Sequence, residues 1–306
     1  MPTIIDCDPG IDDSLAILLA LASNELDVKA ITTTFGNVEL RQTTKNVLNV
    51  LELSKVKNPP PVGAGSGQPL KGTYVDFTRG VHGIDGLGNR ELPPPKLKLT
   101  TDDGIGLLIS KINSGEVDTI IATGPLTNLA RALSRDAEIA RRIKEIYIMG
   151  GAVFTEGNIT PYAEFNFYCD PDAADYVLNN KIPITLISLD VTHKVNVTEA
   201  HIAPFKKYTN RLSEFVVGII EYSINYHRIY RGARGAHLHD PLAVAIAVAP
   251  QLGKYEDLSL GVERGEKHGM VQIKSGARNV RTVREIDADG FLKLFLGRMG
   301  GAIETI

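Results

Sequence analysis

The sequence predicts an α/β protein with an open, mostly parallel central sheet, helices on both faces of that sheet, and a small antiparallel ribbon towards the C-terminus. Apolar runs of strand length alternate with longer stretches at helical spacing along most of the chain. This alternation is typical of parallel strands joined by helices that cross from one strand to the next. From residue 257 onwards polar and apolar residues alternate, which favours antiparallel strands.

The first four elements follow from residue type and spacing. Residues 3–7 are apolar enough for a buried strand, and residues 12–23 show helical spacing with carboxylates in the first turn, where the helix dipole favours anions. Residues 28–35 are rich in isoleucine and threonine and predict a second strand. Apolar residues at helical spacing predict a second helix at residues 38–54.

The later elements continue the same alternation. Short apolar runs predict three more buried strands, at residues 117–122, 145–149 and 184–189. A helical pattern follows the first of these runs, at residues 125–133. The alternating segments of the predicted ribbon are residues 257–263, 270–274 and 281–285. Because the chain has no internal repeat and no low-complexity tail, we expect one domain spanning residues 1–306 rather than two.

A glycine-rich stretch, residues 63–88, lies between two proline-rich segments, residues 58–61 and 91–95. Simple connectors of this length are uncommon in compact domains, and long loops are often functional. We therefore predict a functional loop at residues 63–88.

Composition excludes several classes of function. The 306 residues are 43% apolar and carry a formal net charge of −3, which argues against electrostatic binding to nucleic acid. Two cysteines, Cys7 and Cys169, give no disulfide framework and suit a reducing cytoplasm. The longest apolar runs, residues 15–22 and 242–249, are shorter than the roughly 20 residues of a membrane span, and no basic signal-peptide region is present. We expect a cytoplasmic protein that acts on a small molecule, with no membrane or nucleic-acid partner.

Four carboxylates, those of Asp6, Asp8, Asp12 and Asp13, crowd into a short turn directly after the first strand. Two carboxylates about 5 Å apart repel by about 3 kcal/mol at an effective dielectric constant near 20. One or two of these side chains fit an ordinary acidic first helical turn, but four of them predict a bound cation. Because the candidate ligands are oxygens, Ca²⁺ or Mg²⁺ is favoured over Zn²⁺, which usually takes histidine or cysteine.

Two other segments are expected near this acidic turn. Sites in open parallel sheets lie beyond the carboxyl ends of strands, and Thr123 directly follows the strand predicted at residues 117–122. His239 and Asp240 lead into another apolar helix and form a further candidate group. Alone, this pair is more typical of a helix start than of catalysis.

Taken together, the motifs resemble those of the nucleoside hydrolases, the inosine-uridine-preferring nucleoside N-ribohydrolase family. The signature is the segment Asp8-Pro9-Gly10-Ile11-Asp12-Asp13, and the likeness runs almost end to end. The further matching segments are residues 34–37 (TFGN), 82–88 (HGIDGLG), 123–128 (TGPLTN), 149–151 (MGG), 157–161 (GNITP), 163–166 (AEFN) and 239–241 (HDP). The resemblance implies the Rossmann-like α/β fold of that family and the hydrolysis of ribonucleosides to ribose and free base.

For the metal, the resemblance implies that Asp8, Asp13, Asp240 and the backbone carbonyl of Thr123 bind Ca²⁺. It also implies that Asp8 is the general base acting on a calcium-bound water, which Asn37 helps to orient. Cleavage of an N-glycosidic bond builds positive charge on the ribose ring, and a site crowded with carboxylates stabilises such a transition state.

The resemblance further implies a ribose clamp formed by Asp12, Asn158, Glu164 and Asn166. Taken alone, the last three would more often be loop residues that satisfy backbone groups. Because the ribose hydroxyls would also complete the calcium shell, a deoxyribonucleoside should be a poor substrate. Two further residues are predicted to contact the substrate, Met149 and Asp240.

At the base end, the resemblance implies His82 and His239, with His239 the candidate proton donor. Tyr226 is also predicted to contact the substrate. It belongs to a series of tyrosines four residues apart, and the face they form could equally pack on the body of the protein. The other members of that series are Tyr222 and Tyr230. Three histidines are expected to be surface residues without a chemical role: His193, His201 and His268.

The resemblance also bears on the preferred base and on assembly. The purine-specific subclass of the family is known for stacking the base between tryptophans, and this chain contains no tryptophan. The resemblance therefore favours the inosine-uridine or pyrimidine type, and it leaves the preferred base open. It further implies a homo-oligomer, either a dimer or a tetramer, and a role in nucleoside salvage.

Two alternatives come from other classes. Residues 4–8 also resemble the first motif of haloacid-dehalogenase-type phosphatases, with Asp6 as nucleophile, Asp8 as acid/base and Mg²⁺ as cofactor. Gly10 stands where that motif has threonine or valine, and the other segments would go unexplained. A ribonucleoside-binding sensor on the same scaffold would keep the ribose clamp but lose the base or a calcium ligand, whereas all these candidates are present here.

Overall fold

The computed structural model describes residues 1–75 and 79–305. In chain order its strands are β1 (Pro2–Cys7), β2 (Asp27–Thr33), β3 (Val62–Ala64), β4 (Thr119–Ala122), β5 (Glu145–Met149), β6 (Ile184–Ile187), β7 (Asn196–Val197), β8 (Ala236–His237), β9 (Gly253–Leu258), β10 (Leu260–Val262), β11 (Val271–Ile273) and β12 (Val280–Ile286). Its α-helices are α1 (Ile11–Leu21), α2 (Leu40–Ser54), α3 (Arg79–His82), α4 (Gly104–Asn113), α5 (Thr127–Arg135), α6 (Phe165–Cys169), α7 (Pro171–Leu178), α8 (Leu189–Thr192), α9 (Glu199–Ile202), α10 (Arg211–Arg231), α11 (His239–Val248) and α12 (Ala288–Thr305). Short 3₁₀-helices lie at Ala137–Arg141, Ala203–Lys207 and Pro250–Leu252.

One sheet organises the molecule, in the strand order β3-β2-β1-β4-β5-β6-β12-β9. Neighbouring strands are parallel except for β9, which runs antiparallel to β12 at one edge. The chain moves from β1 to β2 and β3 on one side of the sheet and then returns to β4 on the other side. Such a reversal of strand order leaves a crevice outside the carboxyl ends of the strands, where ligands bind in open α/β sheets.

The helices cover both faces of this sheet and bury two hydrophobic cores. Side chains of a strand point alternately to its two faces, so Ile5 of β1 belongs to the core shared with α1, α10 and α11, whereas Ile4 belongs to the core shared with α4, α5 and α7. Both isoleucines are fully buried. Among the residues that the structure describes, no helix has the length and apolar character needed to span a membrane.

The predicted fold class is confirmed: a mostly parallel central sheet lies between two layers of helices. The five strands predicted between residues 3 and 189 correspond to β1, β2, β4, β5 and β6, and the three predicted helices correspond to α1, α2 and α5. No end of these elements differs from its predicted position by more than two residues.

The C-terminal segments pair antiparallel, as predicted, but in two separate pairs rather than in one ribbon. β10 and β11 form a separate antiparallel pair, as expected. Residues 281–285 lie in β12, which pairs antiparallel with β9, as expected, and also parallel with β6, so it belongs to the central sheet. Arg281 of β12 reaches Glu145 at 3.3 Å and Thr185 at 2.7 Å. These partners allow a charged residue in a strand whose Val280 and Val283 are buried.

The predicted functional loop at residues 63–88 begins within β3 and includes α3. Residues 76–78 of this loop lie outside the described residues. The second half of this loop lies beside the acidic turn. The side chain of Asn46 connects the two segments, since it donates hydrogen bonds to the carbonyls of both Pro9 and Asp85. The loop thereby places α3, with His82 at its end, beside the first turn of α1.

Asp170 ties three parts of the chain together, and we expect its loss to destabilise the fold. Its buried carboxylate accepts hydrogen bonds from the amides of Leu70 and Ala173 and from the hydroxyl of Thr127. Asp170→Ala leaves these buried donors without partners, so the free energy of unfolding should fall by about 2–4 kcal/mol. Asp103, an exposed aspartate that caps α4 through Gly106, is the matched control, and Asp103→Ala should cost at most about 1 kcal/mol. Chemical denaturation measures both values, and equal losses would refute the assigned role of Asp170.

Candidate active site

A cavity of about 590 Å³ lies at the carboxyl ends of β1, β4 and β5. Carboxylate, amide, imidazole and phenol groups all line it. All the site residues predicted from the sequence line this cavity except Asp8 and Asp13, which are fully buried. The lining residues among those predictions are Asp12, Asn37, His82, Thr123, Met149, Asn158, Glu164, Asn166, Tyr226, His239 and Asp240.

The acidic turn is held by donors from three separate segments. Asp13, in the first turn of α1, accepts hydrogen bonds from the backbone amide of Gly10 at 3.1 Å and from the side-chain amide of Asn37 at 3.0 Å. Its other oxygen accepts from the hydroxyl of Thr123 at 2.8 Å. The loops after β1, β2 and β4 therefore meet at one carboxylate.

Asp8 has one carboxylate oxygen bound and one without a partner. Oδ2 accepts from the backbone amide of Asn37 at 2.7 Å, whereas Oδ1 is buried and has no hydrogen-bond partner among the described residues. Glycines enclose this side chain: a Cβ at Gly36 would lie 2.0 Å from Oδ2, and one at Gly124 would lie 2.7 Å from Oδ1. A buried carboxylate oxygen without a donor is costly unless a cation or water compensates it.

Three carboxylates converge beside Asp8. One oxygen each from Asp12, Asp13 and Asp240 lies within 4.8 Å of the others. The sequence assigned Asp12 to the ribose, but the structure places it in this group, because Asp12 and Asp13 both lie in the first turn of α1. Burial raises the pKa of Asp12 to about 6, and burial together with the neighbouring carboxylates raises the pKa values of Asp8 and Asp240 well above the usual range. Several raised carboxyl pKa values in one place indicate a site that lacks positive charge, so this donor set fits a hard divalent cation.

The residues predicted to clamp ribose have structural partners as well. Glu164 caps α6, and its carboxylate accepts from the backbone amides of Gly151, Asn166 and Phe167. Burial raises its pKa to about 7. Asn158 accepts from the amide of Phe165 at 2.9 Å, which leaves its NH₂ group for the cavity.

The side-chain NH₂ of Asn166 donates to the backbone carbonyls of Thr123 at 2.8 Å and Met149 at 3.2 Å. It therefore links the loop after β4 to the loop after β5 and fixes the carbonyl of Thr123, one of the predicted metal ligands. Asn166 lines the cavity, and these hydrogen bonds leave its side-chain oxygen available to a ligand.

Two histidines at the base end are held through the same ring nitrogen. Nδ1 of His82 accepts from the backbone amide of Ile11 at 3.1 Å, and Nδ1 of His239 lies 2.8 Å from the hydroxyl of Thr192. Burial lowers the pKa of His82 to about 4 and that of His239 well below the usual range. His82 is therefore uncharged at neutral pH, and its 3.9 Å approach to Asp12 is not an ion pair.

Sequence reasoning assigned no site role to three further histidines of the cavity. His193, His227 and His237 all line it, although His193 was expected at the surface. The rings of His193 and His237 lie 5.0 Å apart, and those of His227 and His237 lie 5.6 Å apart. Two signals were available: His237 lies two residues before His239, and His227 directly follows Tyr226.

The tyrosine series on α10 is divided between the cavity and the rest of the surface. Tyr226 lines the cavity, whereas Tyr222 packs against Gly88 of the loop from residues 63–88. Tyr230 is 69% exposed. A helix face with a period of four residues drifts around the helix axis, so only one member of this series meets the site.

Asp6 does not reach the cavity. Its buried Oδ1 accepts from the hydroxyl of Thr32 at 2.6 Å and from the side chain of Asn128 at 2.8 Å. It links β1, β2 and α5 behind the acidic turn. A nucleophile of the phosphatase type would have to face the substrate, so this arrangement speaks against that alternative.

Comparison with known sequences identifies the family of this chain. Residues 3–293 match the family model for the inosine-uridine preferring nucleoside hydrolases. The pyrimidine-specific ribonucleoside hydrolase RihA of Citrobacter koseri is 39% identical over 308 residues, which cover 98% of each chain. The protein of the same name in Salmonella typhimurium is 37% identical, also over 98% of each chain.

Solved structures of nucleoside hydrolases also match this chain. A purine-preferring ribonucleoside hydrolase from Gardnerella vaginalis matches with a TM-score of 0.94 at 29% identity over 99% of each chain. A plant nucleoside hydrolase, PpNRh1, matches with a TM-score of 0.90 at 33% identity over 97% of this chain and 98% of the plant protein. The chain belongs to the inosine-uridine preferring nucleoside hydrolase family and is an N-ribohydrolase, which is neither a phosphatase nor a mere sensor.

The crowded carboxylates predict a pH-dependent effect of divalent cations on stability. Unfolded aspartates titrate near pH 4, whereas folding raises the pKa of Asp12 to about 6 and raises the pKa values of Asp8 and Asp240 well above normal. Raised carboxyl pKa values stabilise the folded state at low pH, and this contribution is lost as the pH rises through the folded values. A cation replaces the lost protons, so it should raise the unfolding temperature of the metal-free protein more at pH 7.5 than at pH 5.

This effect can be measured by thermal unfolding of chelator-treated protein with and without Ca²⁺ or Mg²⁺. Asp240→Asn is the matched variant: it should stabilise the metal-free form at pH 7.5 and weaken the response to the cation. A cation effect that is absent, or equal at both pH values, would mean that the carboxylates do not form the binding site.

Proposed function

We propose that this member of the inosine-uridine preferring nucleoside hydrolase family is a Ca²⁺-dependent enzyme that hydrolyses pyrimidine ribonucleosides to ribose and free base. The observation that carries the proposal is the partnerless Oδ1 of buried Asp8, next to a converging group of carboxylates at one end of a cavity. Imidazole rings line the same cavity. This combination of groups suits a substrate with a hydroxyl-rich sugar and a heterocyclic base.

The proposed metal ligands are the side chains of Asp8, Asp13 and Asp240 and the backbone carbonyl of Thr123. All are oxygen donors in a buried setting, which suits Ca²⁺ better than Mg²⁺, because Mg²⁺ usually keeps several of its own waters. When bound, the cation supplies positive charge that lowers the pKa of water at the site. The carboxyl pKa values raised by burial would then return towards normal, which keeps Asp8 ionised.

Asp8 is the proposed general base. Asn37 holds its Oδ2 through a backbone N–H, so Oδ1 is the oxygen that can take a proton from the attacking water. The side chain of Asn37 also lines the cavity and can orient that water. The proton moves to Asp8 as the water oxygen attacks the anomeric carbon of the sugar.

Asp12, Asn158, Glu164 and Asn166 are the proposed ribose contacts. All four line the cavity. Carboxylate and amide oxygens there stabilise the positive charge that develops on the ribose ring as the bond to the base breaks. Their hydrogen bonds to the scaffold hold them in place before the substrate arrives.

His82, Tyr226 and His239 are the proposed contacts to the base, with His239 assisting its departure. The absence of tryptophan and the names of the relatives that are 37–39% identical support a pyrimidine preference. The purine-preferring structural relative is more distant in sequence, at 29% identity. Cytoplasmic location, assembly as a homodimer or homotetramer, and a role in nucleoside salvage stay predictions.

A panel of nucleosides tests the proposed substrate class. Uridine and cytidine should be hydrolysed with a kcat/KM at least tenfold above that of inosine, measured as released ribose. 2′-Deoxyuridine should fall at least a hundredfold below uridine, because the missing hydroxyl leaves buried polar groups unpaired. A preference for inosine would overturn the pyrimidine proposal, and equal rates with deoxyuridine would overturn the proposed ribose contacts.

Asp8→Asn tests the proposed base. The amide keeps the shape of the side chain but cannot take a proton, so kcat for uridine should fall by about 10³-fold or more while the fold is retained. Asp257→Asn, the same change at an exposed position on β9, should leave kcat unchanged. Near-normal turnover in folded Asp8→Asn protein would remove Asp8 from this role.

A further inference from the structure

The segment that carries His82 is closed by its own hydrogen bonds. We call residues 82–89 the His82 loop. Oδ1 of Asp85 accepts from two backbone amides of this loop, at 2.8 Å and 2.9 Å. The carbonyl of His82 accepts from the amide of Gly88 at 2.7 Å. Because the loop is held together internally, the position of His82 depends on where the loop is attached to the rest of the protein.

One buried side chain of α2 attaches the His82 loop to the acidic turn. Asn46 is fully buried, and its NH₂ group donates to the carbonyl of Asp85 at 2.8 Å and to the carbonyl of Pro9 at 2.9 Å. Its oxygen accepts from the side-chain NH₂ of Gln42 at 2.8 Å. Since a backbone carbonyl can only accept, the amide must present its NH₂ group to both carbonyls. These partners therefore fix the orientation of the amide.

Gly86 allows the His82 loop to approach Asn46 closely. Its φ is +76°, a conformation that side chains other than that of glycine rarely adopt. A Cβ at this position would lie 2.9 Å from Nδ2 of Asn46 and 3.3 Å from Cγ2 of Val38. Any side chain at Gly86 would therefore push the loop away from α2.

The attachment sets the spacing between two residues that line the cavity from different segments. Asp12 lies in the first turn of α1, and His82 lies in the loop, with Nδ1 of His82 3.9 Å from Oδ1 of Asp12. The amide of Ile11 joins the same two segments by one further hydrogen bond, to Nδ1 of His82. Asn46 is not among the residues that line the cavity, so it acts on a ligand only by placing those that do.

The acidic turn has further anchors that do not involve Asn46. The carboxylate of Asp13 accepts hydrogen bonds from three groups, the backbone amide of Gly10, the side chain of Asn37 and the hydroxyl of Thr123. Loss of the Asn46 amide should therefore displace the His82 loop and leave the acidic turn in place.

We propose that Asn46 is a positioning residue that sets the separation between Asp12, the proposed ribose contact, and His82, the proposed base contact. The proposal rests on the proposed hydrolysis of pyrimidine ribonucleosides. A nucleoside joins its sugar to its base by a single C–N bond, so it meets both residues well at one separation only. Free ribose meets only the sugar contacts. Asn46 therefore matters for a nucleoside and not for ribose.

Asn46→Leu tests this role, because leucine has a similar size and no hydrogen-bonding group. With Ca²⁺ present, kcat/KM for uridine should fall by about 10- to 100-fold, since a small misplacement of binding groups is costly. The inhibition constant of ribose, measured by competition against uridine hydrolysis, should stay within about twofold of the native value, because the sugar contacts are independent of the loop.

A second variant and a matched control accompany this test. Gly86→Ala disturbs the attachment from the side of the loop and leaves Asn46 in place, so it tests the role even if Asn46→Leu protein does not fold. It should also lower kcat/KM for uridine and leave ribose inhibition unchanged. Asn49 lies one turn further along α2, is also buried and does not line the cavity. Asn49→Leu should change neither value.

Two results would overturn the positioning role. One is an equal loss for uridine and for ribose, which would mean that Asn46 supports the whole site. The other is an unchanged kcat/KM for uridine in folded Asn46→Leu and Gly86→Ala proteins. A native enzyme that does not hydrolyse uridine would refute the proposed function and this proposal with it, whereas the first two results leave the proposed function standing.

Discussion

The constraint on which the rest of the structure depends is the burial of several carboxylates at the end of β1. Removing an ionised carboxylate from water costs several kcal/mol unless donors or a cation replace the lost hydration. Asp8 and Asp13 are fully buried and Asp240 is 3% exposed. Protein donors satisfy Asp13 on both oxygens, but they leave Oδ1 of Asp8 without a partner among the described residues. Protein hydrogen-bond donors therefore satisfy the carboxylates only in part, and in our account a bound cation contacts the oxygen that they leave.

The sheet explains how such a site can be assembled. The reversal of strand order at β1 brings the loops after β1, β2 and β4 together, and these loops supply Asp8, Asn37 and Thr123. Gly36 and Gly124 let the backbone approach the carboxylate of Asp8 more closely than any side chain would allow. The histidines are supported as well, because the amide of Ile11 holds Nδ1 of His82 and the hydroxyl of Thr192 lies against Nδ1 of His239. Binding residues with fixed positions need little reorganisation when the substrate arrives.

The sequence allowed the central sheet and the acidic end of the site to be predicted, because both depend on local patterns. Strand and helix periods placed the elements around Asp8 and Asp13, and the position of Thr123 at a strand end placed it near them. The base end was harder, because His193, His227 and His237 come from separate elements that meet only in the folded protein. The dual role of Glu164, which both caps α6 and lines the cavity, also depends on backbone positions that no pattern of residues reveals.

The most direct test of this account is a crystal structure of the protein grown with Ca²⁺ and ribose. We predict one cation bound by the carboxylates of Asp8, Asp13 and Asp240 and by the carbonyl of Thr123, with two sugar hydroxyls on its remaining side. A cation found elsewhere in the protein, or ribose bound in the cavity beside carboxylates that hold no cation, would contradict the account.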